Sequence, residues 1–436
     1  MVGNRRAGET TMSVKNGAST DSSAGGSTGS LRAVLAFSLG CTFFAYAFVQ
    51  RVAPSVMVDE LMRDFAVGGA LLGNLSAFYF YAYAGIQIPV GIMMDRFGPR
   101  RLLTFTLLLC VVGSTLFAFS DTLASASIAR AIIGGSVAFG FVGTMTIAAQ
   151  QFSPKRFALC VGILQGIGMV GAVLGQAPYR VLLDVTGWRE ALLWTGGAAA
   201  VLALAIWITV RDGERHTGGG ARLLDGIRFA LRNRETWLNA VVGLSLTAPM
   251  LAFAGLWAVP YLTTIYQIPT REAGALASML FIGWGVASPF VGGLSDKIGR
   301  RKPLVIAGVL MSMSGLALVG LVPGLPVPLL YVIFFLTGVG GCTMILAFAL
   351  CRETTPLWAR GAALGVVNGA VTGSGALFQP MLGWILDSHW QGVEVAGARI
   401  YTADGYQAAI LALVATNAVG LVAALCLRET RGQQLA

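Results

Sequence analysis

The chain has 436 residues, 56% of them hydrophobic and only 11% charged, with a net charge of +10. A soluble globular protein is about a quarter charged, and a chain this apolar would present large apolar patches to water. An ordinary soluble domain is therefore excluded, and nucleic acid is not the expected partner: the basic residues sit in short loops between apolar runs, the pattern that orients membrane proteins.

Residues 1–31 are rich in Ser, Gly and Thr and read as a disordered cytoplasmic tail. Arg5 and Arg6 are followed by polar residues, so no cleavable signal is expected. Twelve apolar runs follow, at 32–60, 70–94, 102–120, 122–149, 157–183, 190–210, 237–266, 272–294, 303–322, 326–350, 360–386 and 405–427. A bilayer-spanning helix needs about 20 residues, and the longer runs imply tilt or extension past the lipid. The break between the third and fourth runs rests on Ser120-Asp121-Thr122, a turn and N-cap signal.

The stretch 211–236 is a cytoplasmic linker that separates two sets of six runs, 32–210 and 237–427, and 428–436 reads as a second cytoplasmic tail. The linker holds Gly218, Gly219, Gly220, Arg222, Arg228, Arg232 and Arg234. Its segment 223–231 reads either as a short amphipathic helix on the inner membrane surface or as solvated chain. The 57 glycines suit close helix packing in lipid.

Six cysteines, Cys41, Cys110, Cys160, Cys342, Cys351 and Cys426, form no C-x-x-C pair and mostly lie in or beside apolar runs, where a free thiol behaves as a small hydrophobe. His216 and His389 lie far apart in predicted loops. No disulfide framework, metal site or cofactor is expected. No nucleophile–base pair is visible, so an enzyme is not expected either.

Orientation follows from Lys and Arg. With the N-terminus inside, the inside loops hold Arg96, Arg100, Arg101, Lys155, Arg156, Lys297, Arg300, Arg301, Lys302, Arg360 and the basic linker. The outside loops hold far fewer, chiefly Arg63, Arg180, Arg189, Arg271 and Arg399. Both termini are thus expected in the cytoplasm of a bacterial-type inner membrane.

The two sets of six are related. Gly91-Ile-Met-Met-Asp95-Arg96-Phe-Gly98-Pro-Arg100-Arg101 follows the second run, and Gly292-Gly-Leu-Ser-Asp296-Lys297-Ile-Gly299-Arg300-Arg301-Lys302 follows the eighth, with the aspartates 201 residues apart. Pro154-Lys155-Arg156 matches Pro356 to Gly361, and Gln176 with Pro178 matches Gln379 with Pro380, at nearly the same offset.

At these residues the sequence resembles the major facilitator superfamily, whose best-known signature is the G-x-x-x-D-R-x-G-x-R-R loop. The resemblance covers about residues 32–428 and extends to Arg130 with Gly134 in the fourth run and to Gly187-Trp188-Arg189 before the sixth. It implies an all-α membrane protein of twelve transmembrane helices in two pseudo-symmetric six-helix bundles, a monomer. It also implies alternating access by rocking of the halves around a midplane site. Where the family usually carries a glutamine in the fourth helix this chain has Ile133, which weakens a proton-coupling role there.

The repeated loops read as a cytoplasmic gate. Gly98 and Gly299 allow a tight turn, with Gly91 and Gly292 beginning the two motifs. Asp95 and Asp296 can cap a helix N-terminus, and Arg96, Arg100, Arg101, Arg300 and Arg301 can form charge-assisted pairs.

Charges inside a membrane are expensive and mark function. No Asp or Glu falls in the middle of a span, and the two buried candidates are Arg51 and Arg130. Arg51 lies in Tyr46-Ala-Phe-Val-Gln50-Arg51-Val-Ala-Pro54, where Pro54 is expected to kink the helix. A guanidinium facing a wet cavity suits a carboxylate or phosphate. The position of Arg51 relative to Asp95 resembles that of a first-helix arginine in the organic-anion and organophosphate branch. The phosphate-ester exchangers of that branch carry a second arginine in the seventh helix, where this chain has Ala252 and Phe253, so a monoanion or zwitterion is favoured.

Tyr46, Gln50, Asn74, Tyr79, Tyr83, Trp257, Trp284, Asn368 and Gln379 are further candidates for the cavity wall. Tyr79 and Tyr83 share a helix face, while Tyr81 does not. Asp59 and Glu60, at the outer end of the first run, are the candidates for ion coupling. The expected function is secondary active or facilitative transport of a small organic anion or zwitterion. Export of a hydrophobic drug or siderophore, or solute sensing without transport, are the alternatives.

Overall fold

The computed structural model describes residues 26–152, 154–212 and 223–434. The expected tail up to residue 25, and Gly218, Gly219, Gly220, Arg222 and His216 of the linker, lie outside the described residues. The chain is helical almost throughout. Among the described residues, eleven helices are long and apolar enough to cross a membrane, and a bent pair counted as one span makes a twelfth.

The N-terminal six spans begin with α1 (Gly26–Val52), which starts ahead of the expected residue 32. Pro54 lacks an N–H, and the chain tightens into a 3-10 turn at Ala53–Val56. The run 32–60 is therefore not one helix. It ends at this turn, and Asp59 and Glu60 belong to α2 (Val58–Phe65), which meets α3 (Gly69–Phe97) at a bend of 110°. Next come α4 (Pro99–Ala118), the fourth span α5 (Leu123–Val137) with α6 (Phe139–Gln151), the fifth span α7 (Pro154–Leu174) with α8 (Ala177–Thr186), and α9 (Trp188–Thr209). The turn at Ser120-Asp121-Thr122 is present: Thr122 caps α5 by accepting from the Ser125 N–H at 3.2 Å.

The linker contains α10 (Leu223–Arg232). The seventh span is α11 (Arg234–Ala248), a π-helical segment Pro249–Trp257, and α12 (Ala258–Ile265). Then follow α13 (Thr270–Ile298), α14 (Lys302–Leu321), α15 (Val327–Cys342) with α16 (Met344–Glu353), α17 (Arg360–Ser388) and α18 (Ala403–Cys426). Between the last two lies a hairpin, β1 (Glu394–Val395) and β2 (Ala398–Arg399). Its two turn residues, Ala396 and Gly397, both have positive φ, the geometry that suits strand twist.

The halves repeat each other in their irregularities as well as in their motifs. The fourth span breaks at Ala138 and the tenth at Thr343; the first is distorted at 53–56 and the seventh at 249–257. Both halves also pack two helices backbone to backbone through a glycine. Gly134 of α5 rests on the Tyr79 carbonyl of α3, and Gly338 of α15 on the Leu280 carbonyl of α13; a Cβ at either would collide with that backbone. Large apolar side chains such as Val185, Val201, Phe290 and Trp384 face outward, as a lipid-facing surface requires.

Two faces of the bundle can be told apart by their loops. Arg32 of α1 donates to the Thr209 carbonyl at the end of α9 (2.8 Å), and Arg301 and Lys302 donate their N–H groups to Glu429 in the C-terminal segment. These segments form the terminal face. The β-hairpin lies on the other, the hairpin face.

Candidate functional site

Arg51 sits in the last turn of α1 and is 8% exposed. Its guanidinium carbon lies 4.4 Å from the Phe48 ring centroid, 5.1 Å from Tyr83, 5.6 Å from Tyr79 and 5.8 Å from Phe80. Phe48 is one turn earlier on α1, toward which a helical side chain leans; the other three rings come from α3. Four aromatic faces offset part of the desolvation of a cation. Among the described residues no carboxylate pairs with Arg51; its polar neighbours are the Tyr79 and Tyr83 hydroxyls. Its Nε is buried without a hydrogen-bond partner among the described residues.

Arg130 lies behind this box. It is 1% exposed, donates to the Gln50 carbonyl at 2.9 Å, and stands 5.1 Å from the Tyr79 ring. Tyr79 is thus held between two guanidiniums, and its hydroxyl donates to the Ala47 carbonyl at 3.0 Å. It stacks on Tyr83 at 6.1 Å, so the expected shared face is present. Arg130 ties α5 to α1. Tyr46 and Gln50 point into the interior of the N-terminal half: Gln50 donates to the Tyr46 hydroxyl (2.6 Å) and to Thr195 of α9 (3.4 Å), and Tyr46 meets Cys110 of α4 (3.6 Å). Asn74 accepts from the exposed Tyr81 at 3.2 Å, away from Tyr79 and Tyr83.

The C-terminal half meets this cluster through α17 and the π segment. Gly375 of α17 presses on the Phe80 ring. Trp257 donates to the Gln379 carbonyl at 2.9 Å, and Gln379 donates to the Leu251 carbonyl at 2.8 Å while its own Oε1 is unpartnered. The repeat-related Gln176 donates to the Ala254 carbonyl at 2.9 Å and accepts from Ser55 at 3.0 Å. The two glutamines therefore clasp the π segment, whose widened turn leaves carbonyls in need of donors. Trp284 packs on Gly341 inside the C-terminal half. Asn368 is half-buried and has no hydrogen-bond partner among the described residues.

The halves are sealed toward the hairpin face. Asp387, at the end of α17, accepts from the Gly69 N–H (2.9 Å) and the Ala70 N–H (2.8 Å), the first amides of α3. Tyr401 donates to Asp387 (2.7 Å) and accepts from Gly69 (2.7 Å), and Arg399 pairs with Asp387 at 3.1 Å. A carboxylate on a helix N-terminus is favoured by the dipole and by the free amides. Gly69 and Gly73 let α3 touch the backbone of Gly383 and Gln379. Outside this seal a vestibule of about 310 Å³ is lined by residues including Asp59, Trp257, Arg399 and Tyr406. The Gly187-Trp188-Arg189 motif braces the same face, with Trp188 donating to Asp64 (2.9 Å) and Arg189 to the Ala118 carbonyl (2.8 Å).

Toward the terminal face the same helices part. Gly85 and Gly91 of α3, Gly162 and Gly166 of α7, Gly292 and Gly293 of α13, and Gly361, Gly365 and Gly369 of α17 have no atom within 4 Å of where a Cβ would sit. Among the described residues, the hydrogen bonds that join the halves all lie toward the hairpin face. This state is open to the terminal face and closed to the other.

Within each half the repeated loops are tied down. Gly98 has φ +80°, and a Cβ there would strike the Asp212 carboxylate, which caps α4 through the Arg100 N–H at 2.9 Å. Arg100 also donates to the Trp207 carbonyl (2.8 Å). Arg96 and Arg101 are exposed, and the side chain of Asp95 lies outside the described residues. In the other half Gly299 has φ +67°, Glu429 caps α14 through Arg301 and Lys302, and Arg301 joins Glu353 (2.7 Å) and the exposed Asp296 (3.3 Å), leaving Arg300 exposed. Asp212 and Glu429 play the same part in the two halves, and neither was singled out by sequence.

Burial pushes the Glu429 carboxyl up, but the N–H groups of Arg431, Arg301, Lys302 and Thr430 outweigh it and hold the group below its usual value. Its contribution to stability is thus present above the ordinary carboxylate range and is lost as pH falls through the lowered value. Glu429→Gln is expected to lower the melting temperature by roughly 1–3 °C at neutral pH, the scale of a lost helix cap. A thermal unfolding series from pH 7 downward should show the difference from wild type shrinking with acidification.

The sequence model for the Major Facilitator Superfamily matches residues 36–267 and 250–435. Among curated relatives, the chain is similar to the probable nitrate/nitrite transporter NarK2 of Mycobacterium tuberculosis, 25% identical over 372 residues, 82% of this chain and 87% of that protein. It is also similar to the probable galactarate/D-glucarate transporter GudP of Escherichia coli K12, 22% identical over 431 residues, 89% and 94% of the two chains. A third relative is the drug efflux pump JefA of Mycobacterium tuberculosis, 25% identical over 365 residues, 71% of each chain.

Proposed function

The chain belongs to the Major Facilitator Superfamily, and we propose that it moves a small organic anion or zwitterion across a bacterial inner membrane by alternating access. One observation carries this reading: Arg51 is a buried guanidinium with no carboxylate paired to it among the described residues and an unpartnered Nε. A buried charge without a counter-ion is costly, and an anionic cargo supplies the missing partner. Arg130 is occupied by the Gln50 carbonyl, so Arg51 alone, among the described residues of the site, is available to an anion, which favours one negative charge; the aromatic box favours an apolar body attached to it. Two of the similar proteins are named for nitrate/nitrite and for galactarate/D-glucarate, which supports an anion.

In this reading Arg51 anchors the anion, Tyr79 and Tyr83 shape its pocket with Phe48 and Phe80, and Arg130 braces Tyr79 from behind. In the other half Trp257 and Gln379 hold the π segment against α17, which also carries Asn368, while Tyr46, Gln50, Asn74 and Trp284 shape the surrounding helices. The terminal face is the cytoplasmic one, as its excess of Lys and Arg supports, and both termini lie there. Asp387 with Arg399 and Tyr401 is the outer gate, and the repeated loops around Asp95 and Asp296 are the inner one. The protein works as a monomer in lipid, without nucleic acid.

Uptake and thermal-shift screening of a metabolite panel tests the assignment, with wild type beside Arg51→Ala. Anionic hits lost in the variant support it; undiminished affinity of the variant for every anionic hit would sink it. Hits confined to hydrophobic drugs would favour the export reading, for which the similarity to JefA is the supporting observation.

Proton coupling, where present, falls to Asp59. Glu60 is held by Arg180 at 2.7 Å, whereas Asp59 lines the vestibule. Asp59 is exposed there, beside Glu60. The double variant Asp59→Asn with Glu60→Gln is expected to flatten the pH dependence of uptake. An unaltered pH profile removes both residues as the coupling site.

A further inference from the structure

We propose that α10 and the start of α17 form a binding site for the headgroup of an anionic phospholipid on the terminal face. The site rests on where the chain places its aromatic and basic residues. The linker helix α10 ends at Arg232, just before the seventh span begins at Arg234, and Trp358 stands just before the eleventh span begins at Arg360. Both segments therefore lie at the depth where a span leaves the lipid, the level favoured by Trp.

The helix is seated by small residues. A Cβ on Gly226 would sit 3.5–3.7 Å from the Trp358 carbonyl, Ala359 and Ala362, and Ala230 is fully buried. Phe229 meets Trp358 edge to face at 5.3 Å. Between them opens a cavity of about 480 Å³ lined by Asp225, Arg228, Phe229, Arg232 and Trp358. Arg228 and Arg232 lie one helical turn apart, are exposed, and form no salt bridge among the described residues. The apolar rim continues through Leu231, Trp237 and Leu357, all substantially exposed.

Two exposed guanidiniums outnumber the one carboxylate of the cavity, Asp225, and pair with none among the described residues; above an apolar, Trp-bearing rim they match a lipid phosphate and its acyl chains. A guanidinium fork binds phosphate oxygens in pairs, and the rim takes the chains. A soluble metabolite would meet too much exposed apolar surface here. The sequence leaves this segment open between an amphipathic helix and solvated chain; it is helical, and its pairing with Trp358 is what turns a surface helix into a pocket.

Native mass spectrometry of the purified protein with phosphatidylglycerol or phosphatidylcholine tests the site, together with melting temperatures in each lipid. Wild type is expected to retain phosphatidylglycerol in preference, with about fivefold contributed by each arginine, and to melt higher with it. Arg228→Gln with Arg232→Gln is expected to lose the preference while melting like wild type in phosphatidylcholine. Arg228→Lys with Arg232→Lys is expected to keep most of it, which separates charge from folding. An undiminished preference in the Gln pair would overturn the proposal. So would equal retention of phosphatidylcholine, or equal stabilisation by inorganic phosphate, which would make this a soluble-anion site.

Discussion

Arg51→Ala is expected to reduce anion affinity and uptake by at least about thirtyfold while leaving the melting temperature unchanged or raised. Truncating one partner of a buried charge-assisted pair costs about 2–5 kcal/mol, roughly 30- to several thousand-fold in binding. In the empty protein the sign is reversed. Arg51 is a buried cation with no carboxylate paired to it among the described residues, and removing it relieves desolvation. The combination of lost binding and preserved stability separates an anchor from a structural strut. Arg130→Ala is the contrast: it leaves the Gln50 carbonyl without its donor and is expected to lower the melting temperature. Arg51→Lys keeps the charge but loses the planar fork and its stacking on four rings, and an intermediate loss, on the order of tenfold, is expected. Equilibrium binding and initial uptake rates in the same preparations check all three.

The second large effect is expected at Asp387. Its carboxylate holds two amides of α3 across the boundary between the halves and is fixed by Arg399 and Tyr401. Hydrogen bonds to a charged group contribute about 1.5–3 kcal/mol each. Asp387→Ala should therefore weaken the closed hairpin face by about 2–4 kcal/mol, a shift of roughly 30- to 1000-fold between the two states. Transport falls because one half of the cycle is no longer favoured. Spin labels at Leu71→Cys and Trp384→Cys, on the exposed flanks of α3 and α17 in a Cys426→Ser background, would report the shift. The expected result is a longer-distance population in the Asp387→Ala protein. An unchanged distance distribution would show that Gly73 and Gly69 packing alone keeps the face closed.

The spans were legible because lipid leaves a strong mark: long apolar runs and basic residues in the loops between them. The repeat was legible because a turn with positive φ demands glycine, and Gly98 and Gly299 stand at matching places. The caps on those loops were not. Asp212 and Glu429 lie more than a hundred residues from the helices they cap, and a loop carboxylate gives no sign of its partner. Asp387 was hidden for the same reason, reading as an ordinary residue at the end of a span. The run 32–60 read as one helix because Pro54 and the segment after it are apolar, although the 3-10 turn there ends the span.

Arg51 stood out as a charge in an apolar stretch, but its box did not. Phe48 and Phe80 look like any packing residue until α1 and α3 are placed together. Conversely, Asn74 and Tyr81 are polar residues on the second span that pair with each other away from the box. Tyr46 and Gln50 share the helix of Arg51, yet their side chains are spent on Thr195 and Cys110 within one half. Proximity in sequence selected the helix correctly, and only the packing separated its faces.

The most direct measurement is counterflow in proteoliposomes, which reads transport whether the protein is a uniporter, an exchanger or ion-coupled. Vesicles preloaded with one unlabelled anion are given the same anion labelled outside, across a panel of nitrate, monocarboxylates, amino acids and sugar acids, with neutral sugars and lipophilic cations as controls. The account predicts trans-stimulated uptake of at least one anion or zwitterion, lost in Arg51→Ala and absent for the neutral and cationic controls. Counterflow of lipophilic cations alone, or of an anion at the wild-type rate in Arg51→Ala, would contradict it.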